Sequence, residues 1–371
     1  MVDGIGDKMI NRTLCAGRII EVLPGIYRIP VPLAGNPLKE LNSYVIKGNG
    51  KGGGAKNLLI DTGFRTEECR TTILDGLKEL GIHMEETDIL LTHLHADHSG
   101  NAADLICDGN RVYMGETDIK CLLGSRLEGS GRKPHAGQWE VTDSHSFGTL
   151  HRLRMERYRQ NGISNAMLEE MSRSTPSRTM AADPMFSDYT PLKEGDRIHV
   201  GDYQLNTISV PGHTPGQLCF EIEGTGAMIL GDHVLFDITP NITDWAGVED
   251  SLGDYLDSLK KIDKYDVMIP LPGHRAAGDF HGRIKAISEH HQRRLDECRQ
   301  IIRELGREKG KARLYDITGR MKWKIRADGW DNFPPAQRWF ALGECLAHID
   351  YLKRQGQIGE HWDGGSVWYE A

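Results

Sequence analysis

No apolar run in this chain reaches the ~20 residues that a membrane-spanning helix needs, so no membrane partner is expected. The first residues, Met1 to Asp7, lack the basic-then-apolar pattern of a secretion signal, which points to the cytoplasm. Seven cysteines are scattered along the chain without a single CxxC pair. Their odd number and irregular spacing favour free thiols in a reducing compartment, and none is assigned to a metal. There is no GxxxxGK[ST] phosphate loop, and no GxSxG elbow that would present a serine nucleophile. An excess of positive charge is also missing. The net charge of −8 disfavours a generally nucleic-acid-binding surface. What remains is a globular composition, 39% hydrophobic and 26% charged, in 371 residues. That length suits one large α/β domain plus a small second one.

The most informative stretch is Thr92-His93-Leu94-His95-Ala96-Asp97-His98-Ser99-Gly100, directly after Ile89-Leu90-Leu91. It places three imidazoles and a carboxylate within six residues. Both ligand types suit zinc, iron and manganese. If the apolar run is a strand, the chain turns at Thr92. His93 and His95 can then address one point, and Asp97 and His98 a second one nearby, which suits two adjacent metals. Three further candidates each follow an apolar run ending in a turn. They are His213 in Val210-Pro211-Gly212-His213, Asp232 in Ile229-Leu230-Gly231-Asp232, and His274 in Leu271-Pro272-Gly273-His274. The glycine before each lets the backbone turn tightly.

Together these motifs make the chain resemble the metallo-β-lactamase-fold hydrolases, over roughly residues 20–280. The resemblance implies an αββα sandwich. It places His93, His95 and His213 on one divalent metal, and Asp97, His98 and His274 on the other, with Asp232 bridging. Zinc stands first among the metals, with iron and manganese as alternatives. Asp97 is also implied to accept a hydrogen bond from the nucleophile, giving it a catalytic role. Asp61, in Leu58-Leu59-Ile60-Asp61-Thr62-Gly63, matches an aspartate that orients a ligand histidine from behind. On sequence alone, Asp61 could instead cap a helix running from about Thr66 to Leu80. Zinc β-lactamases of the common kind carry cysteine where Asp232 stands. The chain is therefore nearer the glyoxalase II, lactonase and nuclease branches.

Residues 120–190 interrupt the strand pattern and are expected to form a helical cap, with helices near His151–Gln160 and Asn165–Arg173. Arg152, Arg154, Arg157 and Arg159 concentrate charge there. Each alone is a solvated helix face; together they are candidate contacts to an anionic small-molecule substrate. Met155, Met167, Met171, Met180 and Met185 are read chiefly as cap core, with the lining of an adaptable acyl pocket as the alternative. The catalytic domain is expected over 1–282, and a helical linker with a winged-helix-like domain over 283–371. In the latter, Arg283 to Arg307 reads as a long charged helix. Leu342, Leu346, Ile349 and Leu352 share a face of a later one, and Gln355 to Gly359 turns into a β-wing. Trp339, Phe340, Trp362 and Trp368 could fill that unit or stabilise a homodimer.

A metal-bound hydroxide would carry the chemistry. The leading expectation is hydrolysis of a thioester or activated ester, such as an acyl-CoA. The runner-up is an endoribonuclease cleaving single-stranded RNA, motivated by the wing and by Lys322, Lys324 and Arg326, with a salt-dependent affinity for RNA. A mononuclear iron persulfide dioxygenase shares HxHxDH and ranks lower. A scaffold or transcription factor ranks lowest, because it has no use for a complete ligand set.

Overall fold

The computed structural model describes residues 18–49, 56–123, 147–175, 180–325 and 327–371. Met1 to Asp7, Cys15, Arg326 and part of the cap insertion lie outside them. Strands β1 (Ile20–Leu23), β2 (Ile26–Pro32), β3 (Glu40–Ile46), β4 (Asn57–Ile60), β5 (Thr87–Leu90), β6 (Val112–Gly115) and β7 (Tyr189–Leu192) lie in sequence order in one sheet. The pairs up to β3–β4 are antiparallel and those after it parallel. The second sheet has the order β12 (Ile269–Pro272), β11 (Ala227–Gly231), β10 (Leu218–Ile222), β9 (Tyr203–Ser209), β8 (Arg197–Val200).

The apolar runs of β4 and β5 are continuous because both faces are buried. Leu58, Ile60 and Leu90 point between the sheets, against Leu205, Phe220 and Ile229. Leu59, Ile89 and Leu91 point outward, against Ile73 and Leu77 of helix α1 (Glu67–Glu79). Two one-turn helices, α2 (Ala96–Ser99) and α3 (Ala102–Leu105), follow β5, and α4 (Glu116–Leu123) follows β6. The outer face of the second sheet carries Ile208, Cys219, Met228 and Leu230 into a third core, shared with α7 (Ser251–Ile262) and α8 (Phe280–Lys309). This is the expected αββα sandwich.

That third core continues without a break into the C-terminal region. It includes Leu314 and Ile317 of α9 (Leu314–Arg320), and Leu342, Leu346 and Ile349 of α10 (Pro335–Arg354). The helices of the insertion, α5 (Phe147–Gln160) and α6 (Asn165–Arg173), join it through Tyr158, Leu168 and Met171. Met155 and Met167 pack against the same core, Met180 lies against the first sheet's outer cluster, and Met185 is exposed. The boundary expected at 282/283 therefore falls inside α8, whose side chains belong to one core on both sides of it. A hairpin of β13 (Gly359–Trp362) and β14 (Val367–Glu370) ends the chain where the sequence suggests a wing. Trp339 is buried, while Trp362 is exposed at the hairpin. Among the described residues, no helix is long and apolar enough to cross a membrane. Six cysteines there are free thiols, four of them buried.

Candidate metal centre

The seven candidate ligands lie on the turns that follow β5, β9, β11 and β12 and on the one-turn helix α2. Those turns are stitched across the two sheets: Leu218 N donates to Thr92 O at 3.0 Å, and Asn42 N to Gly273 O at 2.7 Å. His93, His95 and His213 converge in one cluster, and Asp97, His98 and His274 in another. In the first, His95 Nδ1 lies 3.1 Å from His93 Nε2 and 2.9 Å from His213 Nε2. In the second, His98 Nε2 is 3.2 Å from His274 Nε2, which is 3.4 Å from Asp97 Oδ2. Asp232 sits between them. Its Oδ1 is 3.4 Å from His98 Nε2 and 3.5 Å from His274 Nε2, while Oδ2 is 3.7 Å from His213 Nε2. Gly273 makes this approach feasible. A Cβ there would come within 2.6 Å of Asp232 Oδ1, so close packing rather than turn geometry requires the glycine.

The outer partners fix which ring nitrogen faces inward. His213 Nδ1 donates to Asn241 O at 2.9 Å, and His274 Nδ1 to Glu40 O at 2.8 Å. Asp61 Oδ2 accepts from His98 Nδ1 at 2.7 Å and from Thr92 Oγ1 at 2.8 Å. The Thr92 hydroxyl, its proton committed to Asp61, accepts the Nδ1 proton of His93 at 3.1 Å. Asp61 also accepts from Thr92 N at 2.8 Å. Helix α1 is capped by Thr66 instead, whose side chain accepts from Cys69 N.

These contacts leave lone pairs pointing at one another across about 3 Å. Asp232 Oδ1 is buried without a hydrogen-bond donor. Such a set wants positive charge at its centre. Burial lowers the basicity of His95, to about 3, with the neighbouring His213 adding to the effect. His98 is buried too, but the carboxylates of Asp61 and Asp232 outweigh burial and raise it well above the usual histidine range. Asp97 resists burial through its bond to His274 and the nearby imidazoles, and is held down to about 2. Imidazole nitrogens and carboxylate oxygens in two sets sharing one aspartate fit two divalent ions.

The family model described as the metallo-beta-lactamase superfamily matches residues 40–274, more than half of the chain. The chain belongs to the metallo-β-lactamase superfamily. A probable metallo-hydrolase of Bacillus subtilis is 23% identical, covering 93% of this chain and 96% of its own length. An atrochrysone carboxyl ACP thioesterase of Aspergillus novofumigatus is 24% identical, covering 91% of this chain and 82% of its own. The crystal structure of a metallo-beta-lactamase family protein from Thermus thermophilus superposes with a TM-score of 0.69 at 27% identity. It covers 94% of this chain and 99% of that one. The protein is a metallo-hydrolase of this superfamily.

In this metallo-hydrolase, the cap arginines do not converge on one anion-binding surface. Arg157 pairs with Asp350 at 2.6 Å and reaches Asp244 at 3.5 Å. Arg159 pairs with Glu156 and donates to Asn165 at 2.8 Å. Arg154 lies 5.2 Å from the Trp245 ring and 5.9 Å from that of Trp339, and donates to Asp244 O. Arg152 is exposed. The helix that carries them packs against α10; the buried carboxylates of Asp350 and Asp244 take up the charge of Arg157, and the exposed Glu156 that of Arg159.

Two further residues near the centre belong to no motif in the sequence. Asp118, buried on α4, accepts from Leu94 N at 2.9 Å, Thr214 Oγ1 at 2.7 Å and Gly216 N at 2.6 Å. It thereby ties the HxHxDH turn to the His213 turn. No spacing marks it, because its partners are groups on distant segments, most of them backbone. Trp245 stacks on His95 at 5.9 Å between centroids, and its Nε1 donates to His213 O at 3.1 Å. Its signal was faint: a lone tryptophan in the loop that follows Gly231-Asp232.

Proposed function

We propose that this metallo-hydrolase cleaves an acyl thioester of the coenzyme A or acyl-carrier type. The observation that carries the reading is Asp232 set between two imidazole-rich donor clusters. A relative named as an acyl-carrier thioesterase, aligned over most of both chains, supports the choice among hydrolytic substrates. The cap arginines do not carry it, since Arg157 and Arg159 are paired with carboxylates.

His93, His95 and His213 would hold one divalent ion, Asp97, His98 and His274 the other, and Asp232 both. When bound, such ions supply hydroxide at neutral pH and polarise the acyl oxygen. The residues provide the rest. Asp97 stays ionised across the working pH range and accepts a hydrogen bond from the attacking water, orienting it. Trp245, nearly buried, covers His95 and limits the water around that half of the centre. The reaction adds water across the carbon–sulfur bond and gives a carboxylic acid and a thiol. A thiol leaves far more readily as its anion than an alcohol does, because a thiol is the much stronger acid (the cysteine thiol has a pKa of about 8.5). A dedicated proton donor is therefore unnecessary.

The test is a screen of protein with known metal content against acyl-CoA and acyl-phosphopantetheine thioesters, beside a single-stranded RNA. The expected result is thiol release that stops on chelation and returns with added metal. RNA cleavage without thiol release would overturn the proposal and move attention to Lys322 and Lys324.

A further inference from the structure

A short strap, Asn241 to Trp245, joins the His93–His95–His213 cluster to the C-terminal helix, and we infer that α10 positions that half of the metal centre through it. The carbonyl of Asn241 accepts the Nδ1 proton of His213, while its side-chain amide donates to Glu344 Oε2 on α10 at 2.9 Å. Glu344 is fixed in turn by Arg294 of α8 at 3.4 Å. Further along the strap, Asp244 N donates to Gly343 O at 3.2 Å. The strap and α10 touch there so closely that a Cβ on Gly343 would lie 2.0 Å from Thr243 Oγ1. The strap then ends in Trp245, whose indole holds the His213 carbonyl by its N–H and covers the His95 ring by its face. Arg154 of the insertion lies over the Trp245 ring and approaches Trp339 of α10.

Two of the three donors of this cluster are therefore oriented from α10. The other cluster is not. His98 is oriented by Asp61 at the end of β4, and His274 by the Glu40 carbonyl on β3. The two halves of the centre differ in their supports: His213 and His95 rest on the C-terminal helix, whereas His98 and His274, and His93 through Thr92 and Asp61, rest on the first sheet. Glu344 and Trp245 are positioning residues in this scheme; they act through His213 and His95. The inference rests on the two-cluster metal reading and is independent of the substrate.

Stepwise Co2+ titration tests it, followed by the paramagnetically shifted imidazole N–H signals of His213 and His274, which report the two halves separately. Removing an outer partner commonly weakens metal binding about 10- to 100-fold. Glu344 stands one step behind such a partner, so Glu344→Ala should weaken the His213 half by about tenfold, the low end of that scale, and leave the His274 half unchanged. Glu344→Gln, which can still accept from Asn241, should restore it. Trp245→Phe keeps a ring over His95 but loses the N–H, and should weaken the same half; it also serves if Glu344→Ala fails to fold. Equal weakening of both halves, or none in any variant, would overturn the inference. A parent protein that takes up no Co2+ would overturn the metal reading, and the inference with it.

Discussion

At the scale of single residues, the candidate ligands were legible because imidazole and carboxylate have few other reasons to cluster behind apolar strands. What the sequence could not convey is which nitrogen each histidine presents. That depends on acceptors far along the chain: Glu40 O for His274, Asn241 O for His213, Asp61 for His98. Asp61 shows the consequence. Both of its oxygens accept hydrogen bonds, three in total, and every donor is buried. Asp61→Asn would keep the shape but turn one oxygen into an N–H donor facing His98 Nδ1. His98 would have to move its proton to Nε2, the nitrogen that faces Asp232 and His274. Metal affinity in the His98 half should fall about 10- to 100-fold, the usual cost of losing such a partner, and the His213 half should weaken less, because the same oxygen holds the Thr92 hydroxyl that faces His93. Competition with a chromophoric chelator measures this; unchanged affinity in both halves would show that Asp61 does not set the tautomer.

At the scale of elements, strands and helices followed apolar periodicity closely, and differences arose at their ends. The long helix expected from Arg283 begins at Phe280, because Asp279 caps it by accepting from Gly282 N. It ends at Gly310 in the left-handed region, φ 73°. Helix α10 reads as one apolar face, yet Gly343, Ala347, His348 and Asp350 are buried as well, since α5 to α9 surround it. Contacts between elements were the least legible part, and Asp118 is the clearest case. Burial pushes its carboxyl up to about 7, opposed by the three donors from the two ligand-bearing turns. Asp118→Ala would strand those donors inside the protein. Each unsatisfied buried group costs about 1–3 kcal/mol, and partial relaxation reduces the sum, so a loss of about 2–4 kcal/mol is expected. Asp118→Asn keeps an acceptor and should lose less. The midpoints of urea unfolding of the metal-free variants give the comparison, and an Ala variant as stable as the parent would mean that Asp118 does not tie the turns together.

At the scale of the whole molecule, the insertion, α8, α9 and α10 share one core with the second sheet. That core contains histidines with no role in the metal centre. His291 of α8 and His348 of α10 are buried, and their Nδ1 and Nε2 lie 3.4 Å apart. His348 Nδ1 donates to Glu344 O, which leaves its Nε2 to accept from His291. Burial lowers His348 to about 3, with the charge of Arg294 adding to it, and burial with His348, His290 and Arg294 nearby lowers His291 well below its ordinary value. Both are neutral in the folded protein. In the unfolded chain they take up protons as pH falls through about 6.5. Below that pH the unfolded state binds more protons than the native one, so stability falls with falling pH, by up to about 1.4 kcal/mol per unit for each histidine. Well above that pH the pair contributes nothing to the slope. Replacing both with apolar side chains, His291→Phe with His348→Leu, removes the donor and the acceptor together and leaves neither orphaned. Groups that titrate elsewhere are common to both proteins and cancel in the difference. Unfolding midpoints of the metal-free parent should therefore decline more steeply than those of the double variant between about pH 6.5 and 5, and coincide in slope well above that range. Parallel curves throughout would mean that the pair protonates in the folded state, and that the junction between α8 and α10 opens to water.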